Sequence, residues 1–152
     1  MLIQSPEQMR DFGISLSKKF RAGDVIVLKG DLGAGKTALA SGIGIGLGIE
    51  GVSSPTFIIS RVHKAKVPLI HIDAYRLLLS SAKGFEFDDL DIATSKDHAI
   101  TVIEWGEGLV NRLSDEYLVI DIAFGADENE RLLSATVSGQ DGLDLAYELP
   151  SN

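Results

Sequence analysis

The chain has 152 residues, no cysteine and a formal net charge of −8 at pH 7. This length predicts one domain over residues 1–152, and the lack of cysteine excludes disulfides and thiol chemistry. We see no secretion signal and no apolar stretch of membrane length, so we expect a cytoplasmic protein without membrane attachment.

The first predicted element is a helix that begins after Ser5, with Pro6 at its first position, and ends near Gly23. A short β-branched run over residues 24–29 follows and is typical of a buried parallel strand. The tightest basic group, at residues 61–66, is interpreted as a solvated hairpin tip or loop. Further strands are predicted over residues 57–62, 68–73, 99–104, 117–123 and 132–137, and the acidic interval 85–97 is a candidate helix.

Residues 30–37 match the phosphate-binding pattern G-x-x-x-x-G-K-[ST] completely. Its glycines let the backbone curl so that N–H groups face a phosphate chain. Lys36 can reach the β- and γ-phosphates, and the Thr37 hydroxyl can ligate Mg²⁺. Strand, loop and helix follow in the order that the motif requires, so we predict a nucleoside triphosphate site. The predicted nucleotide contacts in the loop are Asp31, Leu32, Gly33, Ala34, Gly35, Lys36, Thr37 and Ala38.

Strands and helices alternate in the first half of the chain, which is typical of an α/β fold. We therefore predict a three-layer phosphate-loop NTPase fold with a mainly parallel sheet, and an antiparallel edge hairpin formed by the last two strands. The helix after the loop runs into Gly42, Gly44, Gly46 and Gly48, each costing about 1 kcal/mol relative to alanine. We expect these glycines to allow close packing of the helix on a strand.

Two acidic residues, Asp73 and Glu104, each close an apolar run. They are therefore expected at the carboxyl ends of strands, where such sheets bind ligands. A Mg²⁺ site takes one or two carboxylates together with phosphate oxygens. An acid in this position is also a common cap of the following helix, so the sequence leaves both interpretations open.

Four other residues have both a functional and a structural interpretation. Thr56 can offer a hydroxyl to the metal, the γ-phosphate or the attacking water, or can belong to a proline turn. Arg76 can stabilise transferred charge or form a surface salt bridge, and Trp105 can cover the site or fill the core. For His71, which alternates with Asp73 on one face of its strand, we prefer a core histidine to a catalytic one.

Four segments together, at residues 30–37, 54–57, 71–76 and 103–106, resemble the TsaE (YjeE) family in order and spacing. These are small bacterial ATPases required for threonylcarbamoyladenosine formation in tRNA. The resemblance implies ATP bound with Mg²⁺ at Thr37 and Glu104, and Asp73 as a second acid beside the metal or the water. It also implies the following positions: Thr56 in a mobile switch loop, Trp105 beside the site and Arg131 near the nucleotide.

The family resemblance also implies partners. TsaE proteins act with TsaB and TsaD, which carry the transferase chemistry, and tRNA is then reached indirectly through the complex. The acidic charge agrees with this division, because independent binding of nucleic acid normally needs a Lys/Arg surface. Two residues depart from the family pattern: Met9 lies where a hydroxyl residue is common, which leaves the nucleobase contacts open, and Gly106 lies where proline is frequent.

These observations favour an Mg²⁺-dependent ATP hydrolase that is slow without its partners. The family resemblance implies that it serves the formation of threonylcarbamoyladenosine at position 37 of ANN-decoding tRNAs. The alternative is a nucleotide-dependent docking module whose hydrolysis is incidental. A small-molecule kinase is the weakest hypothesis, because no dense arginine lid for a second phosphorylated substrate is visible.

Overall fold

The computed structural model describes residues 1–53, 60–78, 92 and 95–139, with residues 76 and 78 described in their backbone alone. Short 3₁₀ turns lie at Lys96–His98 and Val110–Arg112. The helices are α1 (Pro6–Ser17), α2 (Lys36–Gly46) and α3 (Tyr75–Leu78). The strands are β1 (Leu2–Ile3), β2 (Val25–Lys29), β3 (Ser60–His63), β4 (Leu69–Asp73), β5 (Ile100–Glu104), β6 (Tyr117–Phe124) and β7 (Arg131–Ser138).

The described strands form one seven-stranded sheet in the order β1-β7-β6-β2-β5-β4-β3. The central strands β6, β2, β5 and β4 are parallel to one another, and β6 and β7 form an antiparallel hairpin. This confirms the predicted fold class. The structure adds the two-residue β1 outside β7. The strand predicted over residues 57–62 is β3 at Ser60–His63, antiparallel to β4 at the other edge, while residues 57–59 lie outside the described part of the chain.

The two faces of the sheet carry separate apolar clusters. Helices α1 and α2 cover one face, where Leu16 and Ile43 belong to the same cluster as Leu28 of the sheet. On the other face, Leu77 and Leu109 belong to a cluster with central strand residues. Helices on both faces of a parallel sheet leave the carboxyl ends of its strands free for a ligand.

Gly42 and Gly46 of α2 pack against α1, and Gly44 packs against Val52 beyond the end of α2, not against a strand as the sequence prediction held. A Cβ at Gly42 would collide with the Arg10 carbonyl, and a Cβ at Gly46 would meet Ser17. In the other direction, a Cβ at Gly13 of α1 would lie 2.7 Å from the Leu39 carbonyl oxygen. Helix α2 therefore continues to Gly46 because contact with α1 offsets the low helix propensity of its glycines.

Helix α1 begins as the sequence predicts. The Ser5 hydroxyl accepts a hydrogen bond from the Gln8 amide at 3.2 Å, and Pro6 occupies the first turn. The helix ends at Ser17, earlier than the predicted stop near Gly23, and the connection to β2 is made of turns. None of the helices in the described part of the chain has the length and apolarity needed to cross a bilayer.

Candidate functional site

The phosphate-binding motif forms a loop between β2 and the N-terminus of α2. Gly33 and Gly35 have φ values of 80° and 107°, in the region that favours glycine. Gly35 is the N-cap of α2, so no side chain caps the first N–H groups of the helix. Free N–H groups and the positive end of the helix dipole together favour an anion at this position.

Lys36 is 4% exposed and lies against the loop that precedes it. Its ammonium donates to the carbonyl oxygens of Gly30 at 2.7 Å and Asp31 at 2.8 Å. The Nζ atom also lies 3.7 Å from the centroid of the Trp105 ring. An ammonium has three donors, so one remains for a phosphate oxygen. Burial lowers the pKa of Lys36, while the nearby carboxylates, Glu104 first among them, oppose this shift.

Glu104 lies at the end of β5 and is 2% exposed. The hydroxyl of Thr37 lies 3.2 Å and 3.1 Å from its two carboxylate oxygens. His71 of β4 is fully buried, and its Nε2 lies 2.9 Å from Glu104 Oε1. The carboxylate is thus held between the first turn of α2 and a histidine inside the sheet.

Asp73 is the register partner of Glu104 in the parallel pair β4 and β5. Its carboxylate accepts a hydrogen bond from the Tyr75 amide at 3.1 Å, at the start of α3. Asp73 accepts a hydrogen bond at the start of α3, which suits a helix cap, and it also lines the cleft beside the phosphate loop, which suits a metal ligand. Its position is therefore compatible with both interpretations.

A cleft of about 250 Å³ opens above the phosphate loop, and we call it the phosphate cleft. It brings together residues from the loop and from the ends of β4 and β5, as the sequence predicted for Asp73, Glu104 and Trp105. Its lining consists of Leu32, Gly33, Gly35, Lys36, Thr37, Asp73, Glu104 and Trp105.

Trp105 follows β5 directly and has a φ of 61°, the one positive φ of a non-glycine residue in the described part of the chain. Such a conformation is unusual for a bulky residue and needs support from its surroundings. The Trp105 ring lies against Lys36 and against Tyr75, whose ring centroid is 5.0 Å away. The tryptophan therefore covers one side of the phosphate cleft.

A second, more apolar cavity of about 140 Å³ adjoins the phosphate loop, and we call it the apolar slot. Arg131 lies at its border and donates from Nε to the Ala34 carbonyl at 3.1 Å, with its guanidinium 4.4 Å from the Phe124 ring centroid. The slot shares Gly33 and Gly35 with the phosphate cleft. Its lining consists of Ile3, Ser5, Pro6, Met9, Gly33, Ala34, Gly35, Ala38, Asn129 and Arg131.

The residues of the cleft suit a Mg²⁺ ion that is shared with a phosphate chain. Thr37 and Glu104 bring a hydroxyl and a carboxylate together, both oxygen donors of the kind that Mg²⁺ prefers. Among the described residues, no group of three or more His, Cys, Asp or Glu side chains could hold a metal ion on its own. Phosphate and water oxygens would therefore have to complete the coordination.

Some of the predicted residues lie outside this description. Thr56 belongs to residues 54–59, and for Arg76 only the backbone in α3 is described. The sequence analysis did not assign a functional contact to His71, although its alternation with Asp73 placed both on one face of β4. It also missed Ile3, which becomes part of the apolar slot through the pairing of β1 with β7.

Comparisons with known proteins find one matching family, similar sequences and a similar structure. The family described as "Threonylcarbamoyl adenosine biosynthesis protein TsaE" matches residues 3–133. The tRNA threonylcarbamoyladenosine biosynthesis protein TsaE of Streptomyces coelicolor is 47% identical, with 86% of this chain and 90% of that protein covered. The protein of the same name from Nostoc is 36% identical, with 90% and 84% covered. The crystal structure of Bacillus subtilis YdiB has a TM-score of 0.72 and 26% identity, with 93% of this chain and 85% of that chain covered.

Proposed function

The chain belongs to the TsaE family of tRNA threonylcarbamoyladenosine biosynthesis proteins, and from this premise we propose that it is an Mg²⁺-dependent ATPase acting with TsaB and TsaD. One observation carries the proposal: Lys36, Thr37 and Glu104 converge on one cleft at the uncapped N-terminus of α2. Helix N–H groups, an ammonium and a carboxylate in this arrangement are the parts that phosphoryl transfer from a nucleotide requires.

Each side chain of the phosphate cleft has a role that its position supports. Lys36 would bind the β- and γ-phosphates with its remaining donor, while Thr37 and Glu104 would hold Mg²⁺. The metal, when bound, would neutralise charge on the phosphate chain. Asp73 lies beside Glu104 in the register of the sheet and would hold the metal or orient the attacking water.

The apolar slot is our proposed site for the adenine base. It shares two loop glycines with the phosphate cleft, so a nucleotide can run from one cavity into the other around the start of α2. Pro6, Met9 and Ala38 offer apolar surface suited to the flat face of a purine. Arg131 binds loop carbonyls at the border of the slot and would support the loop backbone there.

The proposed partners follow from family membership and agree with the charge of the chain. A net charge of −8 counts against independent binding of tRNA, so the nucleic acid would be held by another subunit. The basic residues 61–66 surround the turn between β3 and β4, where Lys64 and Lys66 are exposed. They lie at the sheet edge formed by β3.

ATP hydrolysis by the purified chain, alone and with TsaB and TsaD, tests the proposal. We expect slow turnover alone and faster turnover in the complex. Lys36→Ala should lower the affinity for ATP by about 100-fold, and Glu104→Ala should retain part of the binding while losing turnover. Lys29→Ala is the matched control, because Lys29 pairs with Asp121 at the surface and lies outside both cavities. Wild-type turnover in both site variants would contradict the proposal.

The docking-module hypothesis gives a different result in the same assay. A Glu104→Ala protein that binds ATP, lacks turnover and still supports tRNA modification at the wild-type rate would favour a module whose hydrolysis is incidental. Loss of modification together with turnover would favour the ATPase.

A further inference from the structure

We propose that His71 is a positioning residue that holds the Glu104 carboxylate in the orientation needed for metal binding. The proposal rests on the proposed function, because it concerns the same cleft. It starts from the distance of 2.9 Å between His71 Nε2 and Glu104 Oε1, with both side chains almost completely removed from solvent.

The direction of this hydrogen bond follows from the chemistry of the two groups. An ionised carboxylate only accepts hydrogen bonds, so the Nε2 atom of His71 carries the hydrogen. The other ring nitrogen, Nδ1, is buried and has no hydrogen-bond partner among the described residues. Among the described residues, the single hydrogen bond of this ring therefore goes to Glu104. Leu69 and Val102 of the apolar cluster are its neighbours in the sheet, and the imidazole of His63 lies close enough to interact with it electrostatically.

The two hydrogen-bond partners of Glu104 differ in whether they would keep their contact with the carboxylate when a metal is bound. The Thr37 hydroxyl belongs to the nucleotide-binding loop and would be engaged by the metal in the loaded protein. His71 belongs to β4, whose pairing with β5 places it two residue pairs deeper in the sheet than Asp73 and Glu104. His71 therefore keeps its contact when the Thr37 contact changes, and it fixes the carboxylate before the metal arrives.

Hydrogen bonds to metal-ligating carboxylates orient the ligand, and their loss typically costs about 10- to 100-fold in metal affinity or activity. We expect His71→Leu to raise the Mg²⁺ concentration for half-maximal binding of a non-hydrolysable ATP analogue by about 10-fold or more. Nucleotide affinity measured in EDTA should stay near the wild-type value. His71→Gln should recover most of the loss, because its amide N–H can replace Nε2–H.

Thr101→Val is the matched control for removing a buried polar group. Thr101 lies on the neighbouring strand β5, is fully buried, and its hydroxyl has no hydrogen-bond partner among the described residues. Thr101 is displaced from the register partner of His71 by one residue along β5, and its hydroxyl forms no hydrogen bond with Glu104. The Mg²⁺ dependence of this variant should equal that of the wild type.

Three results would overturn the positioning role: an unchanged Mg²⁺ dependence in folded His71→Leu, an equal loss in EDTA, or His71→Gln no better than His71→Leu. A wild-type protein that binds no nucleotide under any condition would instead overturn the proposed function itself.

If His71→Leu fails to fold, NMR of the ¹⁵N-labelled histidines in the wild-type protein replaces the Mg²⁺ titration of that variant. The variants His63→Gln and His98→Gln serve to assign the His71 signal. When Mg²⁺ and the analogue are bound, the His71 Nε2–H proton should stay protected from exchange with solvent. Loss of that protection would contradict the proposal.

Discussion

The phosphate cleft and the apolar slot lie on two sides of the same loop but are built in different ways. In the cleft, Lys36, Thr37 and Glu104 are polar groups that form hydrogen bonds with the loop or with one another. In the slot, most of the wall is apolar side chain and helix surface, contributed by α1, α2 and the segment before β7. The cleft is therefore suited to strong, directional binding of charge, and the slot to weaker binding by shape.

The largest effect should come from Lys36→Ala. Removing the ammonium leaves the phosphates without their buried cationic partner, so ATP affinity should fall by about 100-fold, or about 3 kcal/mol. Calorimetric titration with ATP and with inorganic tripolyphosphate measures the loss, and both ligands should lose similar amounts. A loss confined to ATP would mean that the cleft and the slot do not divide the nucleotide as we propose.

Gly42→Ala should have the next largest effect, on stability. The new Cβ would collide with the Arg10 backbone, so α1 must move away from α2, at a cost of about 1–3 kcal/mol in the free energy of unfolding. Urea denaturation measures this change. Ile45→Ala, at an exposed position of the same helix, should change stability by about 0.5 kcal/mol or less. Equal effects at the two positions would contradict the close helix contact.

The displaced α1 should also affect the two cavities unequally. Because α1 contributes Pro6 and Met9 to the slot and nothing to the cleft lining, ATP affinity of folded Gly42→Ala should fall more than tripolyphosphate affinity. The same titrations provide this measurement.

Ala38→Leu tests the slot directly, with a smaller expected effect. Ala38 is half-buried in the first turn of α2, and leucine keeps helix propensity while filling part of the cavity. ATP affinity should fall by about 10-fold, or about 1.4 kcal/mol, and tripolyphosphate affinity should be unchanged. An unchanged affinity for ATP would place the base elsewhere.

The smallest effect should be a pH dependence of stability that comes from the cleft. Burial places the pKa of Lys36 in the folded state below the ordinary value of 10.5, so the unfolded chain binds more protons between these two values. The unfolding free energy of the nucleotide-free protein should therefore rise with pH across this window. Urea denaturation of the wild type and of Lys36→Met at several pH values isolates the contribution. A wild-type stability that falls relative to the variant would contradict the direction of the shift.

Much of the fold and of the phosphate cleft could be predicted from the sequence. The contiguous motif at residues 30–37 specifies its own loop, because the glycines and the following helix act over a few residues. The apolar runs that end at Asp73 and Glu104 predicted the last residue of β4 and of β5 correctly. The predicted start of each strand was one residue too early. The glycines of α2 were assigned to the wrong neighbour, because sequence spacing indicates close packing without indicating which element packs.

The sequence by itself determined which residues we propose to bind phosphate, since that motif is local to one loop and to strand ends. Only the tertiary structure decided that β4 lies beside β5, and thus that His71 of β4 contacts Glu104 of the adjacent strand β5. It also decided that Ile3, Met9 and Arg131 line one slot. Strand order and helix packing are set by burial of apolar faces between distant segments, and that information is distributed over the whole chain.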